Sequence, residues 1–268
     1  MRLESFRMAL KKQVVQGQIT EDTATTYLGC IKRIHERALD DISAEKIKYI
    51  LVDIAKSKTE LIKYVSAIRK YEQEVMKRDK ALLFGEPESE LFSLFSCKSN
   101  KRNNHFKHSS VTITRKINAL RNEKLKYALR LQLRSGLRVK EISQLKKDQL
   151  LFGEENEMKV VVKQGKGRKD RIVEVLEDQY LRERLSDYVV NHESEEPLFY
   201  SRSYIKKKAA EIDIKTHDLR RINAQERLKK ALDEGKSLAE AKDIVKEQLG
   251  HENIKTTDIY LSYRFKKK

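Results

Sequence analysis

Several residue types are scarce in this chain of 268 residues, and each scarcity excludes a class of protein. Cys30 and Cys97 are its two cysteines, and neither has the CxxC or Cys/His spacing of a metal site. We therefore predict no zinc, no other metal and no disulfide framework, which suits a reducing cytoplasm. Tryptophan is absent, and two prolines and nine glycines favour a mainly helical chain with few interruptions.

Long apolar runs are missing as well. The N-terminal sequence MRLESFRMALKK has no apolar stretch of signal-peptide length, and no later run approaches the length of a membrane span. These absences exclude an integral membrane protein of the helical type. We expect a soluble, cytoplasmic protein with no membrane partner.

Positive charge, in contrast, is abundant. The chain has 58 Lys and Arg against 41 Asp and Glu, a net charge of +17. Basic residues outnumber acidic ones both in residues 1–80 and in residues 81–268. This balance predicts a polyanionic partner, and nucleic acid contacted by both halves fits it best. A charged surface that serves only solubility is the alternative.

Apolar spacing predicts four helices in residues 1–81. Their predicted bounds are Leu3–Gln16, Glu21–Leu39, Ala44–Lys56 and Glu60–Lys80. On the fourth helix one arc is apolar and comprises Leu61, Val65, Ile68 and Val75. The opposite side has a stripe of three lysines, Lys63, Lys70 and Lys77. That stripe is a candidate DNA contact, and a merely solvated helix face is the alternative.

Periodicity fades in residues 82–110, which we predict to be a linker between two domains. Its second part is basic and without acid, and Lys101 and Arg102 are candidate contacts to DNA phosphates. An unattached flexible loop would have the same composition.

Residues 111–268 mix helical and strand patterns. Helical spacing returns over Val111–Gly136, and a new helix is predicted after Gly136. Three short strands forming an antiparallel meander are then predicted at Gln149–Phe152, Met158–Lys163 and Arg171–Val175. A helix is predicted at Gln179–Asn191, and residues Ser203–Ile212 then lead into Thr216. The predicted fold is mainly α with a small three-stranded antiparallel sheet.

The stretch from Thr216 to Tyr260 contains the residues with the strongest chemical pattern. Thr216 is predicted to be the N-cap of a helix on which His217 and Arg220 face the same way. Gly250 is placed to end a later helix, with His251 at the following turn.

Tyr260 completes this pattern at the end of a short segment that starts near Thr256. A tyrosine within reach of two histidines and an arginine suggests covalent attack on a phosphate. The phenol can be the nucleophile, an imidazole can take its proton and a guanidinium can hold two phosphate oxygens.

Four motifs in one order resemble those of the tyrosine recombinase (phage integrase) family. They cover most of residues 110–260 and are SGLRVKEISQLKKDQL (135–150), QGKGRKDR (164–171), HDLRR (217–221) and LGHENIKTTDIY (249–260). By this resemblance, Arg138 is the first catalytic arginine and Glu141 supports it. A catalytic lysine is implied on the hairpin of the second motif, at Lys166 rather than Lys169.

The resemblance implies the simple two-domain, Xer-like type: a helical core-binding domain at residues 1–81 and an α+β catalytic domain at residues 111–268. It implies site-specific DNA recombination through a 3′-phosphotyrosine on Tyr260, with no metal, ATP or other cofactor. The roles implied for the other side chains are a base (His217), stabilisers of phosphate charge (Arg138, Arg220 and His251) and an acid for the leaving oxygen (Lys166).

The resemblance also implies partners. They are double-stranded DNA with a specific recombination site and, on two duplexes, three further copies of a chain that is monomeric in solution. DNA integration by a mobile genetic element would be one such activity. A recombinase-derived DNA-binding regulator that does not cut, and a relaxing enzyme of the type IB topoisomerase kind, are the alternatives.

Two departures from the family pattern lead to further expectations. The stretch between Arg220 and His251 is about two helical turns longer than usual. Five apolar residues there are predicted to face the core: Leu228, Leu232, Leu238, Ile244 and Val245. The eight residues after Tyr260 barely suffice for a docking helix, and they contain a second candidate nucleophile, Tyr263.

Overall fold

The computed structural model describes residues 2–38, 43–77, 105–154, 157–163, 170–193 and 195–265. The chain divides into two compact units, which are residues 1–102 and residues 103–268. The predicted linker lies largely in residues 78–104, outside the described residues, so its bounds stay a prediction.

Four helices form the part of the first unit that the structure describes, residues 2–38 and 43–77. They are α1 (Leu3–Val15), α2 (Glu21–Ala38), α3 (Ala44–Ile54) and α4 (Lys58–Glu74). Ser43 and Ser57 cap α3 and α4 by accepting hydrogen bonds from backbone N–H groups of the first turn. The core of this unit contains Phe6, Ile31 and Leu51, all fully buried.

The predicted amphipathic face of α4 is present, but the helix is shorter than predicted. Leu61, Val65 and Ile68 are buried, whereas Lys63 is exposed. The helix ends at Glu74, and Lys77 adopts a left-handed φ of 54° beyond that end. Lys77 therefore does not continue the helical stripe, because the backbone has already turned.

The second unit contains eight helices among its described residues. They are α5 (Ser110–Asn118), α6 (Glu123–Ser135), α7 (Val139–Ser143), α8 (Gln179–Val190), α9 (Arg202–Glu211), α10 (Thr216–Asp233), α11 (Leu238–Leu249) and α12 (Ile254–Leu261). The helical spacing over residues 111–136 is interrupted once, because Asn122 accepts a hydrogen bond from Leu125 N and starts α6.

Three strands form the predicted antiparallel meander. They are β2 (Leu150–Phe152), β3 (Met158–Val162) and β4 (Arg171–Glu174), and β3 is the central strand. Its residues alternate between buried and half-buried, with Met158, Val160 and Val162 inside. The fold class predicted from the sequence is confirmed.

The end of the chain pairs with the start of the second unit. Strand β5 (Arg264–Phe265) runs parallel to β1 (His105–Phe106) in a two-residue ladder. Residues 262–265 are therefore not helical, and this strand was not predicted.

Two local predictions were wrong. Thr216 is not an N-cap: it is the first residue of α10 and is buried, while Lys215 occupies the cap position with extended backbone. Three of the five apolar residues predicted to face the core are exposed instead, Leu232 at 40%, Leu238 at 55% and Ile244 at 36%.

The packing of α11 explains the exposed residues. Its inward face consists of Ala241, Val245 and Leu249, spaced by four, so Ile244 lies one residue off that face. Leu232 and Leu238 flank the turn at Gly235, at the outer ends of their helices. In the described part of the chain, no helix is both long and apolar enough to cross a bilayer.

Candidate active site

Arg138 lies at the N-cap position of α7, directly after the turn that ends α6. Glu141 fixes it twice: Oε2 accepts from Arg138 N at 2.7 Å, and Oε1 accepts from Arg138 Nη1 at 2.9 Å. Arg138 Nη2 also donates to the carbonyl of Gly250 at 3.1 Å. The predicted support of Arg138 by Glu141 is thus a pair of direct hydrogen bonds.

Arg220, on α10, is fully buried. Its two terminal nitrogens donate to the carbonyls of Gly136 and Leu249, which end α6 and α11. Burial, together with the charge of Arg138, lowers the pKa of Arg220 to about 10. Nε of Arg220 is buried and donates no further hydrogen bond of normal geometry to a described residue.

Gly136 makes this arrangement sterically feasible. Its φ is +71°, and a Cβ there would lie 2.4 Å from Asn223 Oδ1 and 2.7 Å from a Leu249 methyl group. A side chain there fits only if the side chains of Asn223 and Leu249 move.

We expect Gly136→Ala to lower the free energy of unfolding by about 2–4 kcal/mol, from overpacking plus left-handed strain. Urea denaturation measures it. Gly235→Ala is the matched control, because Gly235 has a similar φ of +82° but open space around it. It should cost only about 1 kcal/mol. Equal losses in the two variants would show that the overlap at Gly136 is relieved cheaply.

Tyr260 is carried into the site by α12 and is only 7% exposed. Its Oη lies 2.8 Å from Nε2 of His217. The His251 ring packs edge-on against the Tyr260 ring, with centroids 4.7 Å apart. The guanidinium carbon of Arg220 lies 5.8 Å from the centre of the same ring. One phenol therefore meets two imidazoles and a guanidinium.

The pKa of His217 is low enough for its imidazole to be uncharged at neutral pH. Burial lowers its pKa, the charges of Arg221, Arg220 and Arg138 lower it further, and the result is about 4. His217 is exposed as a whole residue, but its imidazole ring faces Tyr260. At neutral pH the imidazole is uncharged, and in the tautomer with the proton on Nδ1, Nε2 accepts the phenol proton.

We expect an NMR titration of the His217 ring to have its midpoint well below 6.5. Arg221→Gln should raise that midpoint, because it removes a nearby positive charge. The fold should lose stability as the pH drops from 6.5 toward 4, since the unfolded chain takes up this proton first. His217→Asn assigns the signal, and a midpoint that Arg221→Gln leaves in place would refute the electrostatic cause.

His251 follows the left-handed cap at Gly250 (φ 63°), as predicted. It is buried, and its Nδ1 lies 3.0 Å from Thr257 Oγ1 on α12. That contact fixes the ring against the helix that carries Tyr260.

The sequence model of the phage integrase family matches residues 111–267. The chain belongs to the phage integrase family. This match covers the whole site described above and confirms the resemblance found in the motifs. No curated protein sequence matches the chain significantly.

Solved structures of family proteins have the same fold at low sequence identity. The XerH recombinase bound to its difH substrate before cleavage is 18% identical, with 90% of this chain and 76% of that chain covered and a TM-score of 0.62. A λ integrase fragment bound as a dimer to a COC′ core site is 14% identical, with 97% and 95% covered and a TM-score of 0.63. The Tn1549 integrase bound to transposon right-end DNA is 12% identical, with 97% and 95% covered and a TM-score of 0.60.

Five of the six predicted catalytic residues of this family member come together: Arg138, His217, Arg220, His251 and Tyr260. Their catalytic roles remain predictions. Lys166 lies outside the described residues, as do Lys101 and Arg102. Lys63 and Lys77 are exposed in the first unit, and Lys70 is half-buried with its Nζ 3.5 Å from Glu74.

Tyr263, the second candidate nucleophile, has a different environment. Its ring lies 5.3 Å from that of Phe106, and the guanidinium carbon of Arg221 lies 4.1 Å from its centre.

Sequence reasoning missed two arginines beside the site. Arg171 ion-pairs with Glu141, and buried Arg227 donates to the carbonyls of Ser135 and Glu174. Arg171 ends the QGKGRKDR motif, so its position in that motif was an available signal. For Arg227 the sequence offered none: its Nε donates to Asn223 one turn back on the same helix, and the carbonyls that it also binds are distant in the chain.

Proposed function

We propose that this chain is a site-specific DNA recombinase that cuts and rejoins DNA through a 3′-phosphotyrosine on Tyr260. The observation that carries the proposal is the 2.8 Å contact of Tyr260 Oη with Nε2 of a neutral His217, in a pocket with Arg138 and Arg220.

The first step is activation of the phenol. A free tyrosine, with a pKa near 10, is ionised about once in a thousand molecules at pH 7. His217 Nε2 is at hydrogen-bonding distance and uncharged, so it can take the proton as Oη attacks phosphorus. The Oη–P bond forms while the bond from phosphorus to the 5′ oxygen breaks.

Charge stabilisation comes next. Negative charge on the non-bridging oxygens of the transition state needs fixed positive partners. Arg220 is held rigidly by two carbonyls and Arg138 by Glu141, so little reorganisation is required when the phosphate arrives. His251, beside Tyr260, would be a further donor.

The leaving 5′ oxygen requires a proton, and Lys166 is the proposed donor. Rejoining runs the same steps backwards: a 5′-hydroxyl attacks the phosphotyrosine and returns the proton. Because the phosphodiester energy is kept in the tyrosyl ester, strand exchange needs no nucleoside triphosphate.

The proposed partner is duplex DNA with a specific site, bound by a core-binding domain at residues 1–81 and the catalytic domain at residues 111–268. The net charge of +17 supports a DNA partner. Similar folds occur in XerH bound to difH and in a λ integrase tetramer on a Holliday junction. We propose a monomer in solution and a homotetramer on two duplexes here.

A nicked duplex tests the proposal. Sequences that the protein prefers are first selected from a random duplex library, and a nick near the cleavage point then traps the intermediate. An SDS-resistant protein–DNA adduct is expected. Binding without any adduct would indicate a non-cutting regulator. Relaxation of supercoiled plasmid that lacks the selected site would indicate a topoisomerase-like enzyme.

A further inference from the structure

Arg171 is the first residue of β4, and its side chain is 14% exposed. Both of its terminal nitrogens donate to Glu141, Nη1 to Oε1 at 3.1 Å and Nη2 to Oε2 at 2.9 Å. This is the bidentate geometry of a strong arginine–carboxylate pair.

The same carboxylate also holds Arg138, through Nη1 and through the backbone N–H. Glu141 is thus shared between two guanidiniums. Burial alone would raise the pKa of Glu141, but hydrogen bonds and charge from Arg171, and then from Arg138, hold that pKa below its usual value. The group of three therefore has one net positive charge.

Arg171 also contacts the turn at Gly250. A Cβ at Gly250 would lie 3.0 Å from Arg171 Nε and 3.1 Å from its Cζ, so the guanidinium lies directly against this turn. The Gly250 carbonyl accepts from Arg138, and His251 is the next residue. Arg171 consequently touches both the support of Arg138 and the turn that presents His251.

We infer that Arg171 is a positioning residue that keeps Arg138 available to a phosphate. Without it, the buried Glu141 carboxylate would keep Arg138 as its hydrogen-bonded ion-pair partner. Charge and hydrogen-bond geometry would then favour a full bidentate pair between those two residues. That pair has no net charge. It would also occupy N–H donors of Arg138 that would otherwise bind the phosphate. The inference rests on the function proposed above and adds the residue that prevents this self-neutralisation.

A matched control exists in the same unit. Arg130 forms a bidentate pair with buried Asp178, at 2.7 and 2.8 Å, and Asp178 keeps a second cation, Arg134, just as Glu141 keeps Arg138. Arg130→Gln therefore breaks an equivalent ion pair outside the candidate site. Its effect on stability can be subtracted from that of Arg171→Gln.

The first readout is the single-turnover rate of adduct formation at saturating protein. Arg171→Gln should slow it at least about tenfold more than Arg130→Gln does, with DNA affinity changed less than about threefold. Arg171→Lys should recover part of the rate. In the Arg138→Gln background, Arg171→Gln should add less than about threefold, because both changes act through one guanidinium.

The second readout needs no cleavage. Inorganic phosphate is titrated into the Tyr260→Phe protein, and its binding is followed by NMR of the Arg138 side chain. Weaker binding is expected for Arg171→Gln but not for Arg130→Gln. This result would stand even if the wild type formed no adduct, an outcome that would defeat the proposed function alone. The inference is overturned if Arg171→Gln matches Arg130→Gln in both readouts, or if its effect on rate multiplies fully with that of Arg138→Gln.

Discussion

We expect Tyr260→Phe to abolish the covalent adduct, lowering its formation by at least about a thousandfold, while DNA affinity stays within about threefold of the wild type. The phenol oxygen is the proposed nucleophile, and phenylalanine has no atom to replace it. The ring packing against His251 and His217, at centroid distances of 4.7 and 5.2 Å, is kept. One hydrogen bond is lost, so the fold should lose only about 1 kcal/mol.

Tyr263→Phe is the control for this experiment, since Tyr263 is the other tyrosine near the end of α12. It should leave the adduct intact. Gel electrophoresis in SDS with end-labelled nicked DNA measures both variants. An adduct that survives in Tyr260→Phe but disappears in Tyr263→Phe would transfer the role of nucleophile to Tyr263.

The main site residues could be predicted from the sequence because of their spacing within the motifs. His217 and Arg220 are one turn apart on a helix. Gly250, just before His251, ends a helix in the left-handed conformation that glycine adopts most easily. Such local rules fix where each side chain points on its own element. They do not fix that Tyr260 and His217 touch across 43 residues; that contact was a hypothesis from the residue types, which the family resemblance supported.

Long-range contacts account for what the sequence did not predict. Strand β5 pairs with β1 through just two residues on each strand, too few to give a periodic pattern. Arg171 and Arg227 look like surface arginines in the sequence, because the carboxylate that binds Arg171 and the carbonyls that bind Arg227 come from other elements. The exposure of Leu238 and Ile244 shows the converse error: apolar spacing predicts a face but not whether another element covers it.

Arg220→Lys should lower the rate of adduct formation by about 100- to 1000-fold, the typical effect of losing one fixed donor to transition-state charge. Arg220 directs two nitrogens at two different carbonyls, of Gly136 and Leu249. A single ammonium cannot reproduce that fork. We also expect the free energy of unfolding to fall by about 2–4 kcal/mol, because a carbonyl and a charge are left poorly paired in a buried site.

Arg227→Lys is the control that distinguishes a catalytic role of Arg220 from a structural one. Arg227 is also buried, at 5% exposure, its pKa is likewise lowered to about 10 by burial, and it too donates to two backbone carbonyls. It makes no ring contact with Tyr260 among the described residues, whereas Arg220 does. The two variants should therefore lose similar stability in urea. At a temperature where both remain folded, Arg227→Lys should slow cleavage less than about tenfold. Equal loss of rate in both would reduce Arg220 to a structural clamp between α6 and α11, and the positive charge opposite the nucleophile would have to come from Arg138 alone.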